Sequence, residues 1–360
     1  MRKIGIIGLP QVGKSSLFQV LTHQRVAHTR AARPEAHLGV VEVPDPRLAR
    51  LATIYNSERT VPAQMEFTDI HGNVLEVARG GQQLKLLREA DGLAHVVRAF
   101  DNEGVPHAAG GIDPRRDIEN VELELMLSDL ELIEKRLERV ELERKKIRSE
   151  GLKKEQQVLK YLQKALEKQT PLREIELDKS SELITRGFML LSAKPILFVI
   201  NLGDGDTFSI DEAEARYGLD KMRHCTHSKV TAFCGKIESE IAELKEIEAA
   251  EFLADFGLKE SGVIRIIRAS YKLMGLISFL TAGKKEVRAW SVPGGTPAAK
   301  AAGVIHTDIE KGFIKAEIVQ YKDLITASNM AGARSRGNVK LEGKNYIVQD
   351  GDVIDFRHNR

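Results

Sequence analysis

The sequence predicts an α/β fold with a parallel sheet, an inserted α-helical hairpin and a small C-terminal β domain. Short apolar runs alternate with helix-like stretches over residues 1–112 and resume at 194–201, a pattern typical of a parallel sheet covered by helices. Residues 114–171 contain no internal proline and are rich in Glu, Lys, Arg and Leu, as long helices are. After residue 282, strand-like runs separated by glycine-rich turns predict the β domain.

These changes of pattern set the predicted boundaries. The α/β domain is assigned to residues 1–114 and 191–282, the hairpin to 115–190 and the β domain to 283–360. Apolar residues from Leu123 to Ile147 recur at spacings of three and four, so two antiparallel arms that turn near Gly151 would bury them. In the β domain, Gly303–His306 and Asn345–Val348 are among the predicted strands. The hairpin is interpreted either as a solvated structural element or as an arm that binds a partner.

Composition favours a globular protein of the cytoplasm. Of the 360 residues, 42% are apolar and 29% charged, and 54 Lys and Arg balance 52 Asp and Glu, so charge alone predicts no attraction to DNA or an anionic membrane. Only two cysteines are present, which fits free thiols in a reducing compartment. No apolar run approaches about 18 residues, so no membrane-spanning helix is expected.

A phosphate-binding loop follows the first predicted strand. Residues 8–15 fit G-x-x-x-x-G-K-[ST] and lead into a helix. In such a loop the backbone N–H groups approach the phosphates, Lys14 bridges the β and γ phosphates as a catalytic cation, and the Ser15 hydroxyl ligates Mg²⁺. The candidate nucleotide-binding residues here are Gly8, Pro10, Gln11, Val12, Gly13, Lys14, Ser15 and Ser16. The motif predicts a P-loop NTPase domain.

Two further motifs have the order found in GTPase-type domains. Asp69-Ile70-His71-Gly72 fits a D-x-x-G switch, in which Asp69 would hold the Mg²⁺ shell and Gly72 would contact the γ-phosphate. His71 and Asn73 are the candidates for orienting the attacking water. Base selection is assigned to the end of the strand at 195–200. The candidates there are Asn201, Leu202 and Asp204, together with Cys234, Gly235 and Lys236.

The motifs together resemble the YchF/Obg-like ATPase family of ribosome-associated P-loop NTPases. The resemblance covers nearly the whole chain and is carried by five stretches: residues 8–15, Val43 to Leu48, His95 to Arg98, Ala302 to Asp308 and Gln349 to Asp352. It implies a GTPase-type domain with a helical-hairpin insertion. It also implies a C-terminal TGS domain, a β-grasp module that contacts RNA and the ribosome.

Three departures from the family pattern bear on mechanism. The switch I tract with its Mg²⁺-ligating threonine is missing, and Thr29 does not replace it. The loop after Gly72 is shortened and lacks the family histidine. Asp204 stands where the family usually has Glu, a replacement associated with ATP, and a carboxylate there can accept two hydrogen bonds from guanine. The bound nucleotide is therefore expected to be ATP or GTP.

The expected function is a Mg²⁺-dependent purine-nucleotide switch that acts on the ribosome or rRNA through its TGS-like domain and hairpin. The alternative is a nucleotide-binding interaction protein with little or no hydrolysis. C-terminal cations that could meet RNA phosphate are Arg334, Arg336, Lys340, Lys344, Arg357 and Arg360, with a solvated charged face as the other interpretation.

Overall fold

The computed structural model of the chain divides into two units. The described residues are 1–23, 37–70, 72–78, 81–102, 104–107, 110–203, 206, 210–219, 225–255, 258 and 260–359. The first unit comprises Met1–Val40 and Glu66–Leu273, and the second comprises Val41–Met65 and Met274–Arg360.

The strands and helices of both units are numbered along the chain. The strands are β1 (Lys3–Ile7), β2 (His37–Glu42), β3 (Thr60–Val61), β4 (Gln64–Asp69), β5 (Gly92–Arg98), β6 (Ile196–Asn201), β7 (Ser228–Phe233), β8 (Leu276–Ala282), β9 (Val287–Pro293), β10 (Phe313–Gln320), β11 (Lys340–Glu342) and β12 (Asp352–His358). The helices are α1 (Lys14–Thr22), α2 (Arg47–Tyr55), α3 (Val74–Val77), α4 (Gln82–Glu89), α5 (Pro114–Lys146), α6 (Glu150–Glu167), α7 (Lys179–Thr185), α8 (Ile210–Arg216), α9 (Gly235–Ile241), α10 (Glu246–Asp255), α11 (Gly262–Leu273), α12 (Ala298–Ile305), α13 (Thr307–Lys311), α14 (Tyr321–Ala327) and α15 (Met330–Ser335).

The sheet of the first unit has the order β2-β4-β1-β5-β6-β7. The pairs β4–β1, β1–β5, β5–β6 and β6–β7 are parallel. Every residue of β5 and β6 is buried, because helices cover both faces of a doubly wound sheet and leave no solvent-facing side. The sheet order changes direction at β1, so the loops after β1 and β5 open a crevice at the carboxyl ends of the strands.

The inserted hairpin consists of α5 and α6, joined by residues 147–149. Helix α5 begins at Pro114, and the Asp113 side chain accepts a hydrogen bond from the Arg116 N–H. The predicted turn near Gly151 lies slightly too late, because this glycine is already inside α6. The buried seam includes Met126, Ile133, Leu137, Val158, Leu159, Leu162, Ala165 and Leu166.

Two predicted members of the hairpin stripe are exposed. Leu123 is 38% exposed and Ile147 is 63% exposed. A helix with 3.6 residues per turn drifts away from a strict seven-residue pattern, which turns Leu123 out of the seam. Ile147 follows the last residue of α5 and therefore lies outside the helix.

A buried carboxylate attaches the hairpin to the rest of the first unit. Asp129 of α5 accepts hydrogen bonds from the Leu191 N–H at 2.8 Å and the Ser192 N–H at 2.7 Å. It also accepts one from the Ser192 hydroxyl at 2.8 Å, and its oxygen lies 3.3 Å from the Arg88 guanidinium. Because these donors are removed from water, the carboxylate supplies their hydrogen bonds.

The sheet of the second unit has the order β11-β10-β12-β8-β9-β3. Its central pair, β12 and β8, is parallel, and β8–β9, β10–β12 and β10–β11 are antiparallel. Helix α12 packs on the sheet through small residues that are fully buried, Ala298, Ala301 and Ala302. Two antiparallel strand pairs, β8–β9 and β10–β12, precede and follow α12, and the parallel strands β8 and β12 lie side by side at the centre of the sheet. This is a β-grasp arrangement, so the predicted fold class is confirmed.

The second unit differs from the predicted β domain in its limits and in two strands. Strand β8 pairs with β9 along its full length and with β12, so the unit begins before residue 283 and also takes in 41–65. The predicted strand at Gly303–His306 is wrong, because these residues end α12 and His306 caps α13. The predicted strand at Asn345–Val348 is reduced to one bridge between Ile347 and Pro297.

Two of the motif stretches meet inside the second unit. The Arg47 guanidinium donates to Asp45 at 2.8 Å and to Asp350 at 2.8 Å. Asp350 also accepts from the Ser278 N–H at 2.8 Å. The stretches at 43–48 and 349–352 therefore tie α2 to the β-grasp sheet, and their role in the structure is to join distant parts of the chain.

Candidate functional site

The loop at residues 8–15 connects β1 to the first turn of α1, and its glycines are sterically required. A β-carbon on Gly13, which has φ of 99°, would lie 2.4 Å from Asn201 Nδ2. A β-carbon on Gly8 would lie 2.4 Å from the Val96 carbonyl oxygen. Because neither contact is possible for a real β-carbon, larger residues would displace the backbone of this loop.

The Lys14 side chain is hydrogen-bonded to the backbone of its own loop. Its ammonium group donates to the Gly8 carbonyl at 2.9 Å and to the Leu9 carbonyl at 2.8 Å, and the side chain is buried. Burial lowers the pKa of Lys14 to about 8, and the nearby Asp69 carboxylate opposes that shift. A polyphosphate beside this group would favour its charged form.

Ser15 and Asp69 meet at the start of α1 and the end of β4. The Ser15 hydroxyl donates to Asp69 Oδ2 at 3.0 Å, and Asp69 is fully buried. A hydroxyl and a carboxylate are oxygen ligands of the kind that Mg²⁺ prefers, so these residues fit the ion that P-loop proteins use. When bound, Mg²⁺ neutralises developing charge on the phosphates.

Asn201 joins the phosphate loop to the loop after β7. Its Nδ2 donates to the Val12 carbonyl at 3.0 Å, and its Oδ1 accepts from the Gly235 N–H at 3.0 Å. The side chain is only 4% exposed. One amide thus uses a donor and an acceptor to hold two loops in a fixed relation.

These loops surround a cavity of about 1060 Å³. The sequence-predicted residues that line it are Gln11, Gly13, Lys14, Ser15, Ser16, Asn201, Leu202, Cys234, Gly235 and Lys236. The volume is close to the upper limit of the range of about 300–1,000 Å³ that is typical of pockets for small molecules and cofactors. We call the part of the cavity lined by Lys14 and Ser15, where phosphates are predicted to bind, the phosphate end. The part lined by Leu202 and the start of α9, where base selection is predicted, is called the base end.

A second, smaller cavity of about 280 Å³ adjoins the phosphate end. It is lined by Pro10, Gln11, Lys14, Ser15, Asp69, Gly72 and Asn73. The structure therefore brings the switch residues Gly72 and Asn73 beside the phosphate loop. Gly8 and Val12 of the same loop do not line either of these two cavities. The Gly8 carbonyl oxygen accepts a hydrogen bond from Lys14, and the Val12 carbonyl oxygen accepts one from Asn201.

Asn73 has a local structural role. Its side-chain oxygen accepts a hydrogen bond from the Leu75 N–H at 3.1 Å and caps α3. This contact uses one of the two acceptor positions of the oxygen and fixes the side chain as a helix cap. The other hydrolysis candidate, His71, lies outside the described residues, as do Thr29 and the base-selecting candidate Asp204.

One wall of the large cavity was missed in the sequence analysis. Phe100, Asp101, Asn102 and Val105 line it from the segment after β5, and Ser239, Glu240 and Glu243 line it from α9 and its C-terminal end. Their position could have revealed the residues after β5, because ligands of open α/β sheets bind beyond the carboxyl ends of the strands.

Two of the C-terminal cations, Arg334 and Arg357, form ion pairs within the second unit. Arg334 lies 2.6 Å and Arg357 lies 3.3 Å from the carboxylate of Glu317. Arg336 donates to the Thr326 carbonyl at 3.0 Å. Pairing reduces the net positive charge that these arginines offer to phosphate, and Arg360 lies outside the described residues.

The fold and the site define a P-loop NTPase with a GTPase-type sheet, a helical-hairpin insertion and a C-terminal β-grasp unit. A family model described as a 50S ribosome-binding GTPase matches residues 3–172, and the YchF-GTPase C-terminal model, described as a protein of unknown function, matches residues 276–359. The chain belongs to the YchF family of P-loop NTPases.

The similarity to individual relatives spans the full chain. The ribosome-binding ATPase YchF of Bacillus subtilis is 42% identical over 99% of this chain and 98% of its own length. The protein of the same name from Pasteurella multocida is 43% identical over 99% of both chains. The structure of the Schizosaccharomyces pombe YchF GTPase matches with a TM-score of 0.82 and 28% identity, covering 99% of this chain and 97% of that one.

No helix in the described ranges combines the length and the apolar character needed to cross a membrane.

Proposed function

We propose that the chain is a Mg²⁺-dependent purine-nucleotide switch of the cytoplasm that binds ATP or GTP and acts on the ribosome. The observation that carries the nucleotide part is the cavity of about 1060 Å³, which is lined by Lys14 and Ser15 of the loop after β1 and by Asn201 and Leu202 at the end of β6. The ribosomal part is supported by the names of the bacterial relatives, which are ribosome-binding ATPases.

Calorimetric titration with ATP and GTP tests the nucleotide proposal. The wild type should bind at least one of them, and Lys14→Ala should bind neither with measurable heat, because the cation that faces the phosphates is gone. Equal heats from wild type and Lys14→Ala would contradict the proposal. The two nucleotides should then be compared in Asp204→Glu, since a carboxylate at 204 that reads guanine would make the wild type prefer GTP and the substitution weaken that preference.

The hairpin tip offers a contact for RNA phosphate. Arg144, Lys145, Lys146 and Arg148 lie within five residues at the end of α5 and are all exposed. Clustered cations release counterions when they meet phosphate, which favours binding at low salt. The tip therefore supports the hairpin as an arm that contacts rRNA, while the arginine pairs on Glu317 weaken the case for the β-grasp unit.

Co-sedimentation with 50S subunits, with and without nucleotide, tests the ribosomal proposal. Wild type should co-sediment in a nucleotide-dependent way, and replacing Lys145, Lys146 and Arg148 by Ala should weaken binding and flatten its salt dependence. Replacing Lys160, Lys164 and Lys168 of the α6 region removes the same charge away from the tip and is the matched control. Equal binding by both triple variants would contradict the hairpin tip as the contact for rRNA. Binding that does not depend on nucleotide would contradict the proposed switch on the ribosome.

A nucleotide-binding regulator with slow turnover is the second candidate function. It is favoured by the contact between the Asn73 side-chain oxygen and the Leu75 N–H, because the helix cap holds this side chain in a structural role. Single-turnover hydrolysis with purified protein separates the two candidates. A rapid Mg²⁺-dependent burst that survives Asn73→Ala would favour the enzyme and exclude a need for Asn73.

A further inference from the structure

The missed wall of the nucleotide cavity lies at its base end. A β-carbon on Gly203 would lie 3.8 Å from the Phe100 β-carbon, and the Ala99 N–H donates to the Asn201 carbonyl at 2.9 Å. The described wall residues, 100–102 and 104–106, follow Ala99 after β5 and belong to no strand or helix, so their placement depends on side-chain contacts.

Those contacts come from Arg98, the last residue of β5. Its guanidinium donates to the carbonyl oxygens of Phe100 at 3.1 Å, Asn102 at 3.4 Å and Pro106 at 3.5 Å. It also lies 4.5 Å from the centre of the Phe100 ring. The residue is 2% exposed, so these carbonyls and this aromatic face take the place of water around a buried cation.

We propose that Arg98 is a positioning residue that holds residues 100–102 and 104–106 as the wall against which the nucleotide base binds. The inference rests on the proposed nucleotide-binding function and adds a residue that does not line the cavity itself. A guanidinium reaches three carbonyls in one plane while its face stacks on Phe100. A lysine ammonium carries its charge at one point and cannot make all these contacts, so Arg98→Lys is a substantive change.

A wall at the base end affects base-bearing ligands selectively. In Arg98→Lys we expect the dissociation constant for the preferred nucleoside triphosphate to rise about tenfold or more, the loss typical of a buried charge-assisted hydrogen bond. Inorganic tripolyphosphate, which occupies only the phosphate end, should bind the variant and the wild type within about twofold. Arg173→Lys is the control, because Arg173 is another buried arginine of the same unit, 7% exposed, that does not line the nucleotide cavity.

Equal loss for nucleotide and tripolyphosphate, or the same loss in Arg173→Lys, would overturn the proposal in favour of general destabilisation. No loss in Arg98→Lys would overturn it directly. Amide hydrogen exchange gives a measurement without nucleotide: the Gly104 and Val105 N–H groups bond to Asn102 and should exchange faster in Arg98→Lys. Unchanged exchange at these two amides would contradict the proposal that Arg98 holds the wall in place. A wild type that binds no nucleotide would instead contradict the proposed function.

Discussion

The Asn201 side chain donates to the Val12 carbonyl oxygen at 3.0 Å, so the end of β6 is bonded directly to the phosphate loop. The same amide accepts from Gly235, and a β-carbon on the neighbouring Gly13 would lie 2.4 Å from its Nδ2. The loop predicted to bind phosphate and the residues predicted to select the base therefore share one buried side chain, whose loss should disturb both.

Removing this amide should weaken every nucleotide. Asn201→Ala leaves the Val12 carbonyl and the Gly235 N–H without a partner, at a cost of about 1–3 kcal/mol for each buried group. Asn201→Asp keeps an acceptor for Gly235 but sets a carboxylate against the Val12 carbonyl oxygen, so it should bind no better than Asn201→Ala. Calorimetry with both purine triphosphates and with tripolyphosphate measures the effect. Retained affinity in Asn201→Asp would show that the bond to Val12 is unimportant.

Nucleotide affinity should fall as pH rises through the range where Lys14 titrates. Burial lowers the pKa of Lys14 to about 8 in the free protein, and phosphates would raise it, so binding at higher pH requires proton uptake. Between roughly pH 7 and pH 9 we expect about a tenfold loss of affinity, accompanied by buffer-dependent heats in calorimetry. Lys14→Arg keeps its charge over this range, and its affinity should not vary with pH in this way. A flat profile in the wild type would contradict the prediction.

The hydrogen bond between Ser15 and Asp69 predicts how nucleotide binding depends on Mg²⁺. Ser15→Ala removes one of the two oxygen ligands proposed for Mg²⁺, so the gain in affinity from added Mg²⁺ should shrink by about tenfold while binding in EDTA changes little. Ser16→Ala is the matched control, because it removes the adjacent hydroxyl and keeps the Ser15 and Asp69 pair. If both variants keep the wild-type gain, the metal assignment for Ser15 is wrong.

The loop at residues 8–15 could be predicted from the sequence, whereas the wall of the cavity after β5 could not. Glycine spacing and a strand followed by a helix were sufficient for the phosphate loop, since its geometry forms within eight residues. The wall at 100–106 has no motif of its own, because it depends on Arg98 and on packing beside Gly203. Such tertiary contacts leave no periodic signal in the sequence.

The same distinction explains the fold predictions. The fully buried strands β5 and β6 are visible as apolar runs, and the hairpin is visible as a long polar helix pair. The predicted start of the second unit, residue 283, is too late because β8 begins only three residues after the end of α11. Its pairing with β9 and β12, which the local sequence does not reveal, assigns it to the β-grasp sheet. Gly303–His306 was misjudged because a short apolar run fits a buried helix end as well as a strand.

Asp129 should be among the most sensitive stability positions of the hairpin. Asp129→Ala leaves the Leu191 and Ser192 donors and the Arg88 cation without their shared acceptor, so the free energy of unfolding should fall by about 3–5 kcal/mol, the cost of leaving buried polar and charged groups unpaired. Glu131→Ala on the same helix removes only an exposed pair with Lys135 and should cost about 0.5 kcal/mol or less. Urea denaturation followed by circular dichroism compares the two. Similar urea midpoints for Asp129→Ala and Glu131→Ala would show that the buried carboxylate does not hold the hairpin, because an exposed ion pair contributes little to stability.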